Sequence, residues 1–286
     1  MVEFFISRIE KLRSYLDKKQ LHNILILSDE NIFYLTGFYG KASGSLLLIT
    51  PASLYLLVHF NYFEQAKKSI KNKEINIVCY QKDRFKKLSE VLKGYNFKSI
   101  GIEGRSISFT DYYNLKKILS RQGKKLINTD GLVEKLRVVK DEDEISKIKT
   151  ACKITDKVFK SLLNSDIRNL EKLSEIELAF YIEELMIKND SSGKSFDTVI
   201  AYDKNSSMPH YSPQKIKISG GIILMDYGCR FNNYCSDITR TIFTRNNKIC
   251  NEFKKIYDIV LEAQLRAIEG LSLIHISEPT RPLYIS

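Results

Sequence analysis

Asp226 and Asp237 are spaced to do chemistry together. Asp226 closes an apolar run of β-forming type, Ile222 to Met225, and Asp237 follows a polar turn that holds Arg230, Asn232 and Asn233. This pattern predicts a β-hairpin. With the turn centred near Phe231 and Asn232, Asp226 faces Asp237 and Gly228 faces Cys235. Opposed side chains share one face of the ribbon, with Cβ atoms about 5 Å apart. Two carboxylates that close repel unless a proton or a cation stands between them. A pair of divalent ions about 3.5–4 Å apart fits such a gap. The plain alternative is a solvated turn, because aspartates ordinarily face water.

The nearby cysteines read differently. Cys235 shares the side of Asp237, two residues on, and is read as a small buried apolar residue. Cys229 has the opposite parity and faces away. His59, inside Leu56-Leu57-Val58-His59-Phe60, reads as a strand residue rather than a ligand. The chain has no Gly-x-Ser-x-Gly elbow, P-loop or dinucleotide fingerprint.

Three stretches in order carry a family resemblance. They are Asn31-Ile32-Phe33-Tyr34-Leu35-Thr36-Gly37-Phe38, then Ser195 to Tyr202 with Asn205 and Met208-Pro209-His210, then the Asp226–Asp237 hairpin. The last two resemble the pita-bread metallopeptidases, the family of methionine aminopeptidase, aminopeptidase P and prolidase. The first resembles the amino-terminal domain of creatinase, aminopeptidase P and prolidase. The resemblance spans residues 5 to 270. It implies an α/β amino-terminal domain, 1–129, and an α+β pita-bread catalytic domain, 130–270, incomplete at its carboxyl end. Residues 271–286 resemble a cloning remnant rather than native protein.

The resemblance also implies a chemistry. Two divalent ions, manganese first and cobalt or zinc as alternatives, are held by two aspartates, a histidine and two glutamates, and assist amide hydrolysis. Asp226 and Asp237 match the aspartates. The other three ligands belong to segments that this chain does not carry; His275 and Glu278 lack the right neighbours and are not assigned to them. His210 matches a catalytic histidine that contacts the substrate. The implied substrate is a peptide cut before proline, and the implied assembly is a homodimer. With two of five ligands, this chain is expected to be inactive. The rival is a non-catalytic pita-bread protein that binds nucleic acid or a protein partner.

The elements that must position these residues are partly legible. Helices are expected over Ser7–Leu16, from Ser28 or Asp29 to Thr36-Gly37, over Phe63–Ser69 and over Asp111–Leu119. Strands are expected over Asn23–Leu27, Ser45–Thr50, Leu54–Phe60, Glu74–Tyr80 and Lys98–Ile102, with a turn at Gln122–Lys125. Alternation of this kind predicts an α/β layer. The texture changes near Asp130 to long helices. Ile145, Ile148, Cys152, Thr155 and Phe159 mark a core-facing stripe, and Ser174-Glu175-Ile176-Glu177 is a capping-box pattern. Leu178, Ile182 and Leu185 follow on one face, and Cys250–Glu269 forms a last helix stopped by Gly270.

At 286 residues the chain suits two compact domains or one large one. No apolar run approaches membrane-span length, and the first residues lack the order of a signal peptide. Five scattered cysteines without C-x-x-C spacing indicate a reducing, cytoplasmic setting. Net charge is +11 and uneven: residues 1–130 hold 22 Lys and Arg against 12 Asp and Glu. The basic residues occur as doublets such as Lys67-Lys68 rather than as a block, which reads as a solvated surface and makes nucleic acid an unlikely partner.

Overall fold

The computed structural model describes residues 2–164, 170, 172–219, 221–243 and 251–274. His275, Glu278 and the rest of the tail from 275 onward lie outside the described residues. The chain divides into two compact units, Met1–Ile145 and Ser146–Ser286.

The first unit runs α1 (Val2–Asp17), β1 (Ile24–Ile26), α2 (Asp29–Thr36), β2 (Leu46–Ile49), β3 (Leu54–His59), α3 (Phe63–Ser69), β4 (Ile75–Tyr80), α4 (Arg84–Leu92), β5 (Ser99–Ile102), α5 (Phe109–Ser120), β6 (Lys125–Asn128) and α6 (Leu132–Val138). Its sheet has the order β4-β3-β2-β1-β5-β6. β2 is antiparallel to both neighbours, and the other pairings are parallel. Successive side chains of a strand point to opposite faces. Ile24 and Ile26 accordingly pack with Ile9, Leu12 and Leu16 of α1, while Leu25 packs with Leu88 and Leu92 of α4 and Leu115 and Leu119 of α5. Helices on both faces of the sheet make this an α/β layer.

α2 begins and ends where its sequence directs. The Ser28 side chain accepts the Asn31 N–H, and Gly37 closes the helix in the left-handed conformation, φ 79°. α4 is absent from the sequence reading, because its polar residues obscure the Phe85, Leu88 and Leu92 stripe that it buries. β6 starts at Lys125, inside the expected turn. The division of the chain falls later than Asp130 for a packing reason. Leu132, Val133 and Leu136 of α6 join the first core, and Arg8 of α1 grips Asp141 at 2.6 Å.

The second unit takes most of α7 (Glu142–Asn164), then α8 (Glu175–Lys188), β7 (Gly193–Lys194), β8 (Val199–Tyr202), β9 (Ile222–Tyr227), β10 (Cys229–Phe231), β11 (Tyr234–Cys235), β12 (Ile238–Phe243) and α9 (Asn251–Ile274). The buried stripe of α7 is Ala151, Ile154, Thr155, Val158 and Leu162; Cys152 is exposed, so the helix is rotated from the expected stripe. α9 runs through Gly270 to Ile274. One glycine in a helix interior costs about 1 kcal/mol, too little to end it. Its apolar side chains Phe253, Ile256 and Val260 are 47–63% exposed. No helix among the described residues is long and apolar enough to cross a membrane.

α8 starts with a complete capping box. Glu177 Oε2 accepts from the Ser174 backbone N–H and hydroxyl at 2.7 Å each and from Lys217 Nζ at 3.1 Å. These bonds hold the Glu177 carboxyl down at about 2. A lowered acid pKa stabilises the fold above the unfolded value of 4.5, and this is lost as pH falls towards 2. Glu177→Gln is therefore expected to flatten the loss of stability between those two pH values, read by urea unfolding across the window. Ser174→Ala removes the cap itself and is expected to cost about 1 kcal/mol at neutral pH.

Candidate functional site

The hairpin that carries the aspartates forms, but its register differs from the expected one. Asn232 and Asn233 both adopt left-handed backbone, φ 49° and 65°, and make a two-residue turn of the mirror-image type. Phe231 then pairs with Tyr234, Arg230 with Cys235, and Asp226 with Thr239. Asp226 does not face Asp237, nor does Gly228 face Cys235. A shift of two positions along the partner strand preserves alternation. Asp226 and Asp237 thus remain on one face, as diagonal neighbours.

The two carboxylates sense each other. Asp226 is half-buried and accepts the Thr239 hydroxyl at Oδ1, 2.9 Å. Asp237 is exposed, and its carboxyl is raised by desolvation and then by the charge of Asp226 and a hydrogen bond with it. Neither has an ion-pairing lysine, arginine or histidine among the described residues. A pair of carboxylates without a countercharge is the oxygen-rich donor set that hard and borderline divalent cations favour. Asp237 lines a cleft of about 390 Å³ together with Asp156, Thr239 and Gln264. Among the described residues, no group of three or more His, Cys, Asp or Glu converges to hold a metal.

Gly228 shapes this end of the ribbon. A Cβ there would lie 2.0 Å from the Ser236 carbonyl and 2.3 Å from Ser195 Oγ. Three chain segments meet around it: Ser195 N–H donates to the Gly228 carbonyl at 2.9 Å, and Ser195 Oγ donates to the Ser236 carbonyl at 2.8 Å. A glycine just after an apolar strand signals close backbone approach, so this role was open to sequence reasoning. Of the two cysteines, Cys235 departs from the expected burial. Cys229 is buried, which pushes its thiol up, and Cys235 is exposed.

His210 is exposed in the turn that follows the 3-10 segment Asp203–Ser207. It makes no hydrogen bond or ion pair among the described residues, and it does not come within bonding distance of either aspartate. Its loop is anchored by Glu175, at the first position of α8 and fully buried. Oε1 accepts from Tyr202 N–H at 2.8 Å and Asn205 Nδ2 at 3.0 Å; Oε2 accepts from Tyr211 hydroxyl at 2.6 Å and Gln214 N–H at 3.0 Å. Sequence reasoning missed this hub.

Comparison with known proteins adds independent findings. Residues 8–139 match the creatinase/prolidase N-terminal domain, and residues 146–273 match metallopeptidase family M24. The chain is 33% identical to an Xaa-Pro dipeptidase of Pyrococcus horikoshii over 92% of its own length and 71% of the relative's. It superposes on an Xaa-Pro dipeptidase from Bacillus anthracis with a TM-score of 0.81 at 31% identity, covering 92% of this chain and 71% of that one. An X-Pro aminopeptidase from Thermotoga maritima gives 0.79 at 28% identity, covering 91% and 70%.

Proposed function

From the premise that the chain belongs to metallopeptidase family M24, with a creatinase-type amino-terminal domain and the pita-bread fold, we propose that its protein hydrolyses the peptide bond before proline. The family membership rests on the two matched models and the relatives above. The observation that carries the reading is the pair Asp226 and Asp237 on one face of the hairpin, with no countercharge of their own among the described residues.

Asp226 and Asp237 would hold the divalent ions, manganese first and cobalt or zinc as alternatives. What such ions supply when bound is acidification of a water and polarisation of the scissile carbonyl. The Thr239 hydroxyl fixes the rotation of the Asp226 carboxylate and so its free lone pairs. Gly228 lets the Ser195 and Ser236 segments close behind the pair. His210, on the loop held by Glu175, contacts the substrate beside the bond to be cut. We place the protein in the cytoplasm, as a homodimer.

Two of the five implied ligands are in this chain. The 286-residue chain is therefore expected to bind manganese more weakly than micromolar and to cleave Ala-Pro little or not at all. The test has two parts. The protein purified from its source cell should cleave Ala-Pro with manganese, and Asp226→Asn or Asp237→Asn should abolish this. Cleavage that survives both substitutions, or a native protein inert on every Xaa-Pro peptide, overturns the reading. Calorimetry on the present chain should show manganese heat that either substitution removes.

A further inference from the structure

The first unit holds a cleft that the proposed peptidase chemistry does not use. It measures about 720 Å³, within the range of small-ligand sites. It opens beyond the carboxyl ends of the parallel pair β3 and β4, between α4 and α5, and its wall includes His59, Tyr80, Lys82, Arg84, Lys117 and Arg121. Open α/β sheets bind ligands beyond the carboxyl ends of their strands.

Charge inside the cleft is not balanced. Two acidic residues line it, and both are engaged. Asp83 caps α4 by accepting the Phe85 and Lys86 N–H groups at 2.9 and 3.0 Å. Asp111 is held by Arg84 Nη2 at 2.8 Å, while Arg84 Nη1 donates to the Gly44 carbonyl at 2.9 Å. Lys82, Lys117 and Arg121 are left without an acidic partner among the described residues. One wall is aromatic, with His59 edge-on to Tyr80 at 5.5 Å between ring centroids. The surrounding half of the chain adds a positive field, since residues 1–130 carry ten more basic than acidic side chains.

We propose that this cleft binds the polyphosphate group of a small ligand, with Lys82, Lys117 and Arg121 as its countercharges. Several phosphoryl charges in one compact group match three separate cations better than a single carboxylate does. The aromatic wall suits a planar base attached to that group.

The test is calorimetric titration of the 286-residue chain with ATP, inorganic tripolyphosphate and adenosine, at low and high salt. Saturable one-to-one binding of ATP or tripolyphosphate is expected, absent for adenosine. Tighter ATP identifies a nucleotide, and equal affinities identify free polyphosphate; either supports the site. Lys82→Glu, Lys117→Glu and Arg121→Glu should each weaken binding on the order of tenfold or more. Lys67→Glu, away from the cleft, should leave it unchanged. These side chains are exposed, so the variants are expected to fold, which circular dichroism checks. No saturable binding overturns the proposal, as does equal weakening by Lys67→Glu, adenosine binding as tightly as ATP, or an oligonucleotide binding tighter than either phosphate compound.

Discussion

Glu175→Ala is expected to lower the unfolding free energy by about 3 kcal/mol or more, since hydrogen bonds to a charged group are worth roughly 1.5–3 kcal/mol each and buried donors left unmet cost more. Four donors converge on this carboxylate, which is 0% exposed. They come from the end of β8, the 3-10 segment and both sides of the return to β9. The loss is thus local before it is global. Limited proteolysis should cut after Lys204 in the variant under conditions that leave the wild type intact. Glu175→Gln keeps the shape but turns one acceptor into a donor, so it should fall between the two. Urea unfolding and the cleavage pattern check this, and a loss under about 0.5 kcal/mol for the alanine variant would refute the anchoring role. His210, the proposed substrate contact, precedes the anchored Tyr211.

Gly228→Ala is the second substitution with a large expected effect. Its new methyl group would stand 2.0 Å from a main-chain oxygen, and the main chain cannot swing aside as a side chain does. Overpacking of this kind typically costs about 1–3 kcal/mol, and contact with backbone puts it at the upper end. Separation of Ser236 from Gly228 would also move the adjoining Asp237. The variant is expected to melt lower and to show less manganese heat in calorimetry. A double variant with Ser195→Ala relieves only the 2.3 Å contact with Oγ and should recover little. Full recovery would show that the hydroxyl, not the carbonyl, sets the limit.

The sequence disclosed alternation better than it disclosed register. The side-chain period of a strand is two, so the text around Asp226 and Asp237 settled which face they share. It did not settle where the chain turns. That depends on which residues accept left-handed backbone, and Asn232 and Asn233 do so together. The same distinction explains α7, whose helical period was plain but whose buried face was misassigned at Cys152. Glu175 was hidden for another reason. An acidic residue in the first turn of a helix is ordinary, because it suits the positive end of the macrodipole. Nothing local marks one whose partners lie 27 to 39 residues ahead. The six-stranded sheet was legible where apolar runs sat between turn residues, and illegible at β6, of which Lys125, Ile127 and Asn128 are exposed.

The asparagine pair at the ribbon's tip has a reach beyond its own bend. Consecutive mirror-image residues set the coil of the two arms that leave them, so the splay between the acidic groups is dictated from outside their neighbourhood. Changes at Asn232 or Asn233, in a peripheral knuckle, can then alter the spacing of Asp226 and Asp237 without touching either.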